Sequence, residues 1–180
     1  MIPVKYRTSA EAIANYPYTD IASGLGYETF YLFTSKNGAT ISYHLSTVKP
    51  YSDAIFVKGS SFNFLTSTFN LPRTIKGDVY FDLRGDGGTT NFACSGSVIW
   101  VHADGTADTT LGTYEIASPD TTIAYRTAKI SIAETNVKVG DQIKLLVNLL
   151  GDGNTRNIYL DPQAIAQKPA MLYIPFEVDT

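Results

Sequence analysis

Hydrophobic and polar residues alternate with a period of two along most of the chain from Tyr27 onward. This period puts neighbouring side chains on opposite faces of the backbone, which is typical of β-strands with one buried face. Such runs occur at residues 27–33, 41–45, 54–57, 62–69, 75–83, 92–103, 109–117, 123–132, 143–150, 158–160 and 171–178. Short runs with frequent turn residues predict an all-β fold, an antiparallel, jelly-roll-like β-sandwich of eight to ten strands.

Four local signals refine this prediction. Asn37-Gly38 predicts a tight hairpin in which this pair supplies the positive φ angles. Gly140 is expected to take a backbone angle that other residues resist, in a turn that ends at Asp141. The apolar run 143–150 predicts a strand buried on both faces or nearly so. Pro175 removes a ladder donor from the last run, which predicts an edge position or a bulge.

The first 24 residues differ from the rest of the chain. Thr8 and Glu11 have the spacing of a capping box, in which each side chain satisfies a free backbone N–H group of the other residue. Pro17 ends the helical pattern, so we expect one or two helical turns, too short to be stable alone. The predicted division is an N-terminal arm at 1–24 and a β-sandwich domain at 25–180.

The composition is poor in charge and rich in residues that favour strands. The 180 residues include 21 Thr and 12 Tyr, and only 17% are charged. A net charge of -3 without a basic cluster argues against nucleic-acid binding, and no apolar run is long enough to span a membrane. The start has no signal-peptide pattern, and the single Cys94 cannot form an intrachain disulfide.

Candidate catalytic groups are sparse. The two histidines, His44 and His102, lie in alternating runs, and His44 has the parity opposite to its apolar neighbours, so it should face solvent or a neighbouring subunit. Cys94 is expected to be a buried, unreactive thiol, and Trp100 a core residue. We therefore predict no catalytic residues, no metal site and no cofactor.

Two loop patterns have alternative interpretations. Acidic residues near glycines could hold calcium, but the loops at Asp86 and Asp152 lack the Asp-x-Asp-x-Asp-Gly pattern, and Asp and Gly are common turn residues. The adhesion tripeptide Arg84-Gly85-Asp86 opens a glycine-rich stretch and is interpreted as turn chemistry. Paired carboxylates of a glycosidase would need candidates such as Glu28 and Glu115, with little Trp to bind sugars.

Faces that should be exposed carry Thr, Ser, Asn and Tyr in place of Lys and Glu, which fits a protein packed against other chains. The segment Asp20–Tyr27, leading into Phe30-Tyr31, resembles the opening of small structural proteins of tailed bacteriophages. The segment Ile130–Leu145 resembles the strand, turn and strand of these β-sandwich proteins, and Asp161-Pro162 before the last strand also fits.

The resemblance implies a virion component without catalytic residues, namely a capsid decoration or stabilising protein. Its expected partners are the major capsid protein or other virion proteins, with a homo-oligomer, for example a trimer, in a virion assembled in the host cytoplasm. Ordering of the arm on a neighbour would lock such an assembly. The expected interface residues are Tyr6, Tyr16, Tyr18, Ile21 and Tyr27.

Two other functions remain open. A receptor- or carbohydrate-binding module of a tail or fibre should show exposed aromatic residues in loops, for which Tyr51, Tyr114 and Tyr173 are the candidates. A hydrolase on the same scaffold ranks third. Deletion of residues 1–24 would separate the first two, because only the decoration protein should then lose its binding.

Overall fold

A computed structural model describes residues 25–48, 56–57, 61–87, 91–118, 121–150, 156–160 and 169–177. The predicted N-terminal arm lies outside these residues. The described part contains eleven strands: β1 (Leu25–Asn37), β2 (Thr40–Ser46), β3 (Phe56–Val57), β4 (Ser61–Leu65), β5 (Arg73–Asp86), β6 (Phe92–Val101), β7 (Thr109–Ser118), β8 (Ala124–Val137), β9 (Gln142–Leu149), β10 (Asn157–Tyr159) and β11 (Met171–Glu177). Each strand corresponds to one of the alternating runs of the sequence.

The strands form two four-stranded layers with jelly-roll connections. Sheet A has the order β1-β11-β5-β8, and sheet B has the order β4-β9-β6-β7, with antiparallel pairing throughout both. β2 joins the layers, since it forms a hairpin with β1 and a single parallel bridge to β4. The short strands β10 and β3 extend the edge beside β5. The predicted all-β, jelly-roll-like sandwich is confirmed, although the described residues contain eleven strands and not the eight to ten expected, since two short edge strands are added.

The core lies between the two layers. Phe81 of β5 and Tyr114 of β7 meet edge to face across it, with ring centroids 5.3 Å apart. The edge strands β7 of sheet B and β8 of sheet A also pack closely against each other. At this contact Gly112 leaves no room for a side chain, since a Cβ atom there would lie 2.7 Å from Ile130 Cγ2. Among the described residues, none forms a helix that is long and apolar enough to cross a bilayer.

The hairpin between β1 and β2 is tight, as predicted, but its turn residues are Gly38 and Ala39. Asn37 and Thr40 form the last pair of the ladder. Gly38 has a φ of 62°, and no described non-glycine residue has a positive φ. A two-residue turn with glycine at its first position is of type II′. The assignment of a positive φ to Asn37 was therefore wrong.

Pro175 lies in the interior of sheet A and not at its edge, because β11 pairs with β1 on one side and β5 on the other. The register of β11 against β5 shifts between Tyr173 and Phe176, so the alternative prediction, a bulge, is correct. Gly77 faces Pro175 across this bulge with a φ of 114°. The bulge accommodates the missing donor inside the sheet.

Two predictions of burial need correction. In β9 the inward residues from Ile143 to Leu149 are buried, whereas Lys144 and Leu146 on the outer side are only half-buried, so the strand has one buried face. Trp100 is also half-buried, packing against the rim of the core. The prediction for Gly140 is confirmed, since its φ is 89°.

Candidate functional site

The outer side of sheet A carries a cluster of aromatic residues, which we call the aromatic face. Its members are side chains of outward parity in β1, β5 and β11: Tyr27, Tyr31, Phe33, Tyr80 and Tyr173. The register brings them together, because Tyr173 is paired with Thr29 on one side and with Tyr80 on the other. The same outward side of β11 includes Met171, opposite Tyr31.

Two of these aromatic residues, Tyr27 and Tyr80, pack on each other, and all five are half-buried. The rings of Tyr27 and Tyr80 are 5.9 Å apart, and the Tyr27 hydroxyl donates to the carbonyl oxygen of Asp78 at 3.2 Å. Burial raises the pKa of Tyr173, and the nearby carboxylate of Asp82 raises it further. Tyr173 therefore keeps its hydroxyl proton near neutral pH.

The charged residues at the border of the aromatic face are paired within the sheet. Lys129 Nζ lies 2.7 Å from Asp78 Oδ2, and the Ser131 hydroxyl donates to Asp78 Oδ1 at 2.8 Å. These hydrogen bonds, from Lys129 first, lower the pKa of Asp78. The Thr127 hydroxyl donates to Asp82 in the same way. Asp78 is thus neutralised by Lys129, and Asp82 is held by a hydroxyl group.

The outer side of sheet B has a different chemistry. One row across it consists of Asn63, Leu146, Ser97 and Thr113. Small polar side chains dominate this side, and its ion pair, Lys144 to Asp108 at 2.5 Å, lies near the rim. The contrast marks sheet A, and not sheet B, as the side suited to contact with another chain.

The predicted interface is only partly represented among the described residues. Tyr27 lies on the aromatic face, whereas Tyr6, Tyr16, Tyr18 and Ile21 lie outside the described residues. Sequence reasoning missed Tyr31, Phe33, Tyr80 and Tyr173 as members of one surface. The signal for Tyr31 and Phe33 was present, since they share the parity of Tyr27 in one strand.

The loop aromatics expected of a glycan-binding module are not in loops where the structure describes them. Tyr114 is buried in β7 and donates its hydroxyl to the carbonyl oxygen of Leu146 at 3.1 Å. Tyr173 lies within β11. That expectation was wrong for both, because each residue pairs in a ladder, and Tyr51 lies outside the described residues.

The two histidines lie apart, each beside a hydroxyl group. The Ser35 hydroxyl is 2.8 Å from His44 Nε2, and the His44 ring stacks on Phe33 with centroids 5.0 Å apart. His102 Nε2 lies 2.9 Å from the Thr109 hydroxyl. Within the described residues no carboxylate bonds to the His44 ring, so no acid orients this pair as in a hydrolase triad.

Cys94 has none of the features of a nucleophile. It is fully buried in β6, and burial raises the pKa of its thiol to about 12 despite the nearby charges of Arg126 and Arg156. A thiol with this pKa carries almost no thiolate near neutral pH. Cys94 is therefore a packing residue in this structure.

The acidic residues and the adhesion tripeptide lie differently from their predicted places. Asp82 and Asp86 belong to β5 and not to loops. Arg84, Gly85 and Asp86 are all buried at the end of β5, so the interpretation of the tripeptide as a turn was wrong. In the part of the chain that the structure describes, no group of three potential metal ligands occurs.

A separate cleft of about 410 Å³ opens where β1 begins and β11 ends. Arg73 lines it, forms an ion pair with Glu28, and places its guanidinium 4.7 Å from the centre of the Phe176 ring. Because the ion pair and the ring hold Arg73 in place, the cleft presents a fixed and locally neutral wall. Among the described residues that line it, the Thr74 hydroxyl donates to the Asn136 side chain and not to a base.

Comparison with known proteins supports the fold and leaves the function open. No family model and no curated protein matches the chain. A CocE/NonD family hydrolase from Staphylococcus aureus has a similar structure, with a TM-score of 0.64, 11% identity, and coverage of 84% of this chain and 37% of that chain. An α-amino acid ester hydrolase is similar at a TM-score of 0.63 and 11% identity, over 83% of this chain and 36% of that chain.

An aminopeptidase from the marine sediment archaeon Thaumarchaeota archaeon is similar at a TM-score of 0.53 and 11% identity, over 66% of this chain and 26% of that chain. The chain thus spans between about a quarter and just over a third of the length of these three proteins. Similarity at this identity shows a shared β-sandwich fold, and the hydrolytic activities belong to those proteins.

Proposed function

We propose that this protein is a non-enzymatic structural component of a phage virion, a decoration or stabilising protein that packs on major capsid proteins through the aromatic face. The observation that carries the proposal is the aromatic face itself, five half-buried aromatic residues on one sheet, bordered by the Lys129–Asp78 ion pair. Tyrosine is enriched and Lys and Glu are depleted in protein interfaces. The resemblance of the sequence to phage structural proteins supports the choice of partner.

A second feature supports a packing role. Three rings of the aromatic face contact a neighbouring ring, Tyr27 with Tyr80 and Phe33 with His44, so these side chains have less freedom to lose when another chain covers them. The arm at 1–24 leads directly into β1, which carries Tyr27, Tyr31 and Phe33. In this proposal the arm and the aromatic face contact the same neighbouring chain.

The proposal that the protein is not an enzyme rests on the arrangement of the described residues. His44 is paired with Ser35 without an orienting acid, and Cys94 is inaccessible. The similar structures are hydrolases, so ester hydrolysis must be measured directly. A turnover that disappears in Ser35→Ala and in His44→Ala would overturn the non-enzymatic assignment.

The test of the capsid proposal is binding to capsid shells assembled from the major capsid protein of the virus that carries this gene. Tyr31→Lys puts a charge into the aromatic face, and we expect co-sedimentation with shells to weaken by about tenfold or more, as at a central interface position. Thr113→Lys is the matched control, since it adds the same charge to the exposed outer side of sheet B. Equal binding by both variants would contradict the proposal.

The alternative is a receptor- or carbohydrate-binding module of a tail or fibre, which the exposed rings of the aromatic face would also suit. A glycan array probed with the whole chain and with a variant lacking residues 1–24 separates the two functions. A decoration protein should lose shell binding on this deletion and bind no glycan. Retained glycan binding by the shortened chain would favour the alternative.

A further inference from the structure

Arg156 is a buried arginine with an unsatisfied donor at one end of the sandwich. Only 8% of the residue is exposed, just before β10. Its Nε and Nη2 atoms donate to the carbonyl oxygen of Asn91, at 3.0 and 2.7 Å. Its Nη1 atom is buried and has no hydrogen-bond partner among the described residues. The guanidinium is therefore fixed, with one nitrogen left to bind something else.

A second guanidinium lies close to the first. The Arg126 guanidinium carbon is 4.4 Å from the centre of the Phe92 ring, and Phe92 follows Asn91 in the chain. Arg126 Nη1 donates to the carbonyl oxygen of Gly85 at 2.8 Å. Both arginines act electrostatically on the thiol of Cys94. Two buried positive charges thus lie in the neighbourhood of Cys94, and one of them packs on the Phe92 ring.

This arrangement is costly without an anion. An arginine keeps its charge in proteins, and a buried charge is tolerated only when it is paired. Within the described residues no carboxylate lies within ion-pair distance of Arg156. We propose that Nη1 of Arg156, unpartnered among the described residues and with Arg126 nearby, binds an oxyanion of the carboxylate or phosphate type.

The chemistry of the site limits the ligand. Both arginines are more than nine-tenths buried, so only a small anion or the end group of a larger molecule fits. Because Asn91 holds the Arg156 guanidinium in place, the free N–H groups are preorganised and lose little entropy on binding. Charge-assisted hydrogen bonds to oxygen favour an oxyanion over chloride. The site lies apart from the aromatic face and is independent of the capsid proposal.

The first experiment measures thermal unfolding of the whole chain in sodium acetate, sodium phosphate and sodium chloride at equal ionic strength. At ten times the dissociation constant, a ligand specific to the folded state raises Tm by about 3 to 6 °C for a chain of this size. A response to acetate indicates a carboxylate site, and a response to phosphate alone indicates a phosphate site. Identical Tm values in all three salts would overturn the proposal.

Variants locate the effect. Phosphate also stabilises proteins by exclusion from their surface, which would raise Tm equally in every variant. Arg156→Gln should abolish the specific rise, and Arg156→Lys, which keeps the charge if the first variant fails to fold, should reduce it. Lys138→Gln is the control, because its side chain is 70% exposed and the rise should persist. An undiminished rise in either Arg156 variant would overturn the proposal.

Discussion

Trp100 donates its indole N–H to Oδ2 of Asp141 across 2.7 Å, which joins the end of β6 to the turn before β9. Asp141 is only 2% exposed, and it also accepts from the backbone N–H groups of Ala103 at 2.9 Å and Lys138 at 2.8 Å. One carboxylate thus links the loop between β6 and β7 to the turn between β8 and β9. This buried acceptor holds one end of the sandwich together.

Replacing Asp141 by Asn should destabilise the protein by about 2 to 4 kcal/mol, because the amide nitrogen replaces one carboxylate oxygen and cannot accept the hydrogen bonds made there, from Trp100 and Lys138 at Oδ2 or from Ala103 at Oδ1. Trp100 is the single tryptophan, so its fluorescence in urea titrations reports both the local contact and global unfolding. Asp108→Asn, which loses a more exposed ion pair, is the control and should have a much smaller effect. Equal stability of both variants would contradict this role of Asp141.

The same contact predicts a pH dependence. Burial alone would raise the pKa of Asp141, but the hydrogen bonds from Ala103, Lys138 and Trp100 outweigh it and hold the pKa below its usual value. A carboxyl with a lower pKa in the folded state stabilises the protein fully above the unfolded pKa, about 3.9, and this contribution is lost as pH falls through the folded pKa. We expect the urea midpoint to fall below about pH 4.

This acid sensitivity should be smaller in Asp141→Asn, which has no carboxyl to titrate. The measurement is a series of urea titrations from neutral pH downward, followed by Trp100 fluorescence for both proteins. Other carboxyls with lowered pKa values, such as Asp78 and Asp104, titrate in both proteins and cancel in the comparison. Parallel curves for the two proteins would show that Asp141 does not contribute.

Gly96 permits close approach inside sheet B. A Cβ atom there would lie 1.9 Å from the carbonyl oxygen of Leu146 and 2.7 Å from the Tyr114 hydroxyl. Because the nearer atom belongs to the backbone, Gly96→Ala must displace β9 and should cost about 3 kcal/mol or more. Ser95→Ala, the neighbouring outward position, is the control. Calorimetric Tm values check this, and a shift no larger than the control's would refute it.

Cys94 should resist alkylation in the folded protein. Its thiol is buried and its pKa is about 12, so reaction with iodoacetamide at pH 8 requires opening of the sandwich. We expect the rate to rise with urea in parallel with unfolding, as measured by intact mass. If Cys94 were alkylated in native buffer at a rate comparable with that in 8 M urea, the thiol would lie at the surface, which would contradict the structure.

Local sequence patterns were sufficient for strands and some turns. The period of two located all eleven strands, since alternation depends only on which face of each strand is buried. The turn at Gly140 was also predictable, because a positive φ is a local property of glycine. The hairpin turn was predicted at Asn37-Gly38 and lies one residue later, at Gly38-Ala39, because an Asn-Gly pair is by itself a favourable turn sequence.

Residues that depend on strand pairing could not be placed in this way. Pro175 was compatible with an edge or a bulge until β5 and β1 were found on its two sides. The Arg84-Gly85-Asp86 tripeptide contained turn residues, but its pairing with β8 and β10 extends β5 through it. Long-range hydrogen bonds overrode local preference in both cases.

The sequence by itself therefore determined the class of fold, a charge-poor β-sandwich, and which side chains of each strand face inward. Only the tertiary structure placed Tyr80 and Tyr173 beside Tyr27, and Arg156 near Arg126, because these residues come from strands distant in sequence. Burial parity repeats every two residues and can be read locally. The order of strands in a sheet depends on how all inner faces are buried at once, which no single segment encodes.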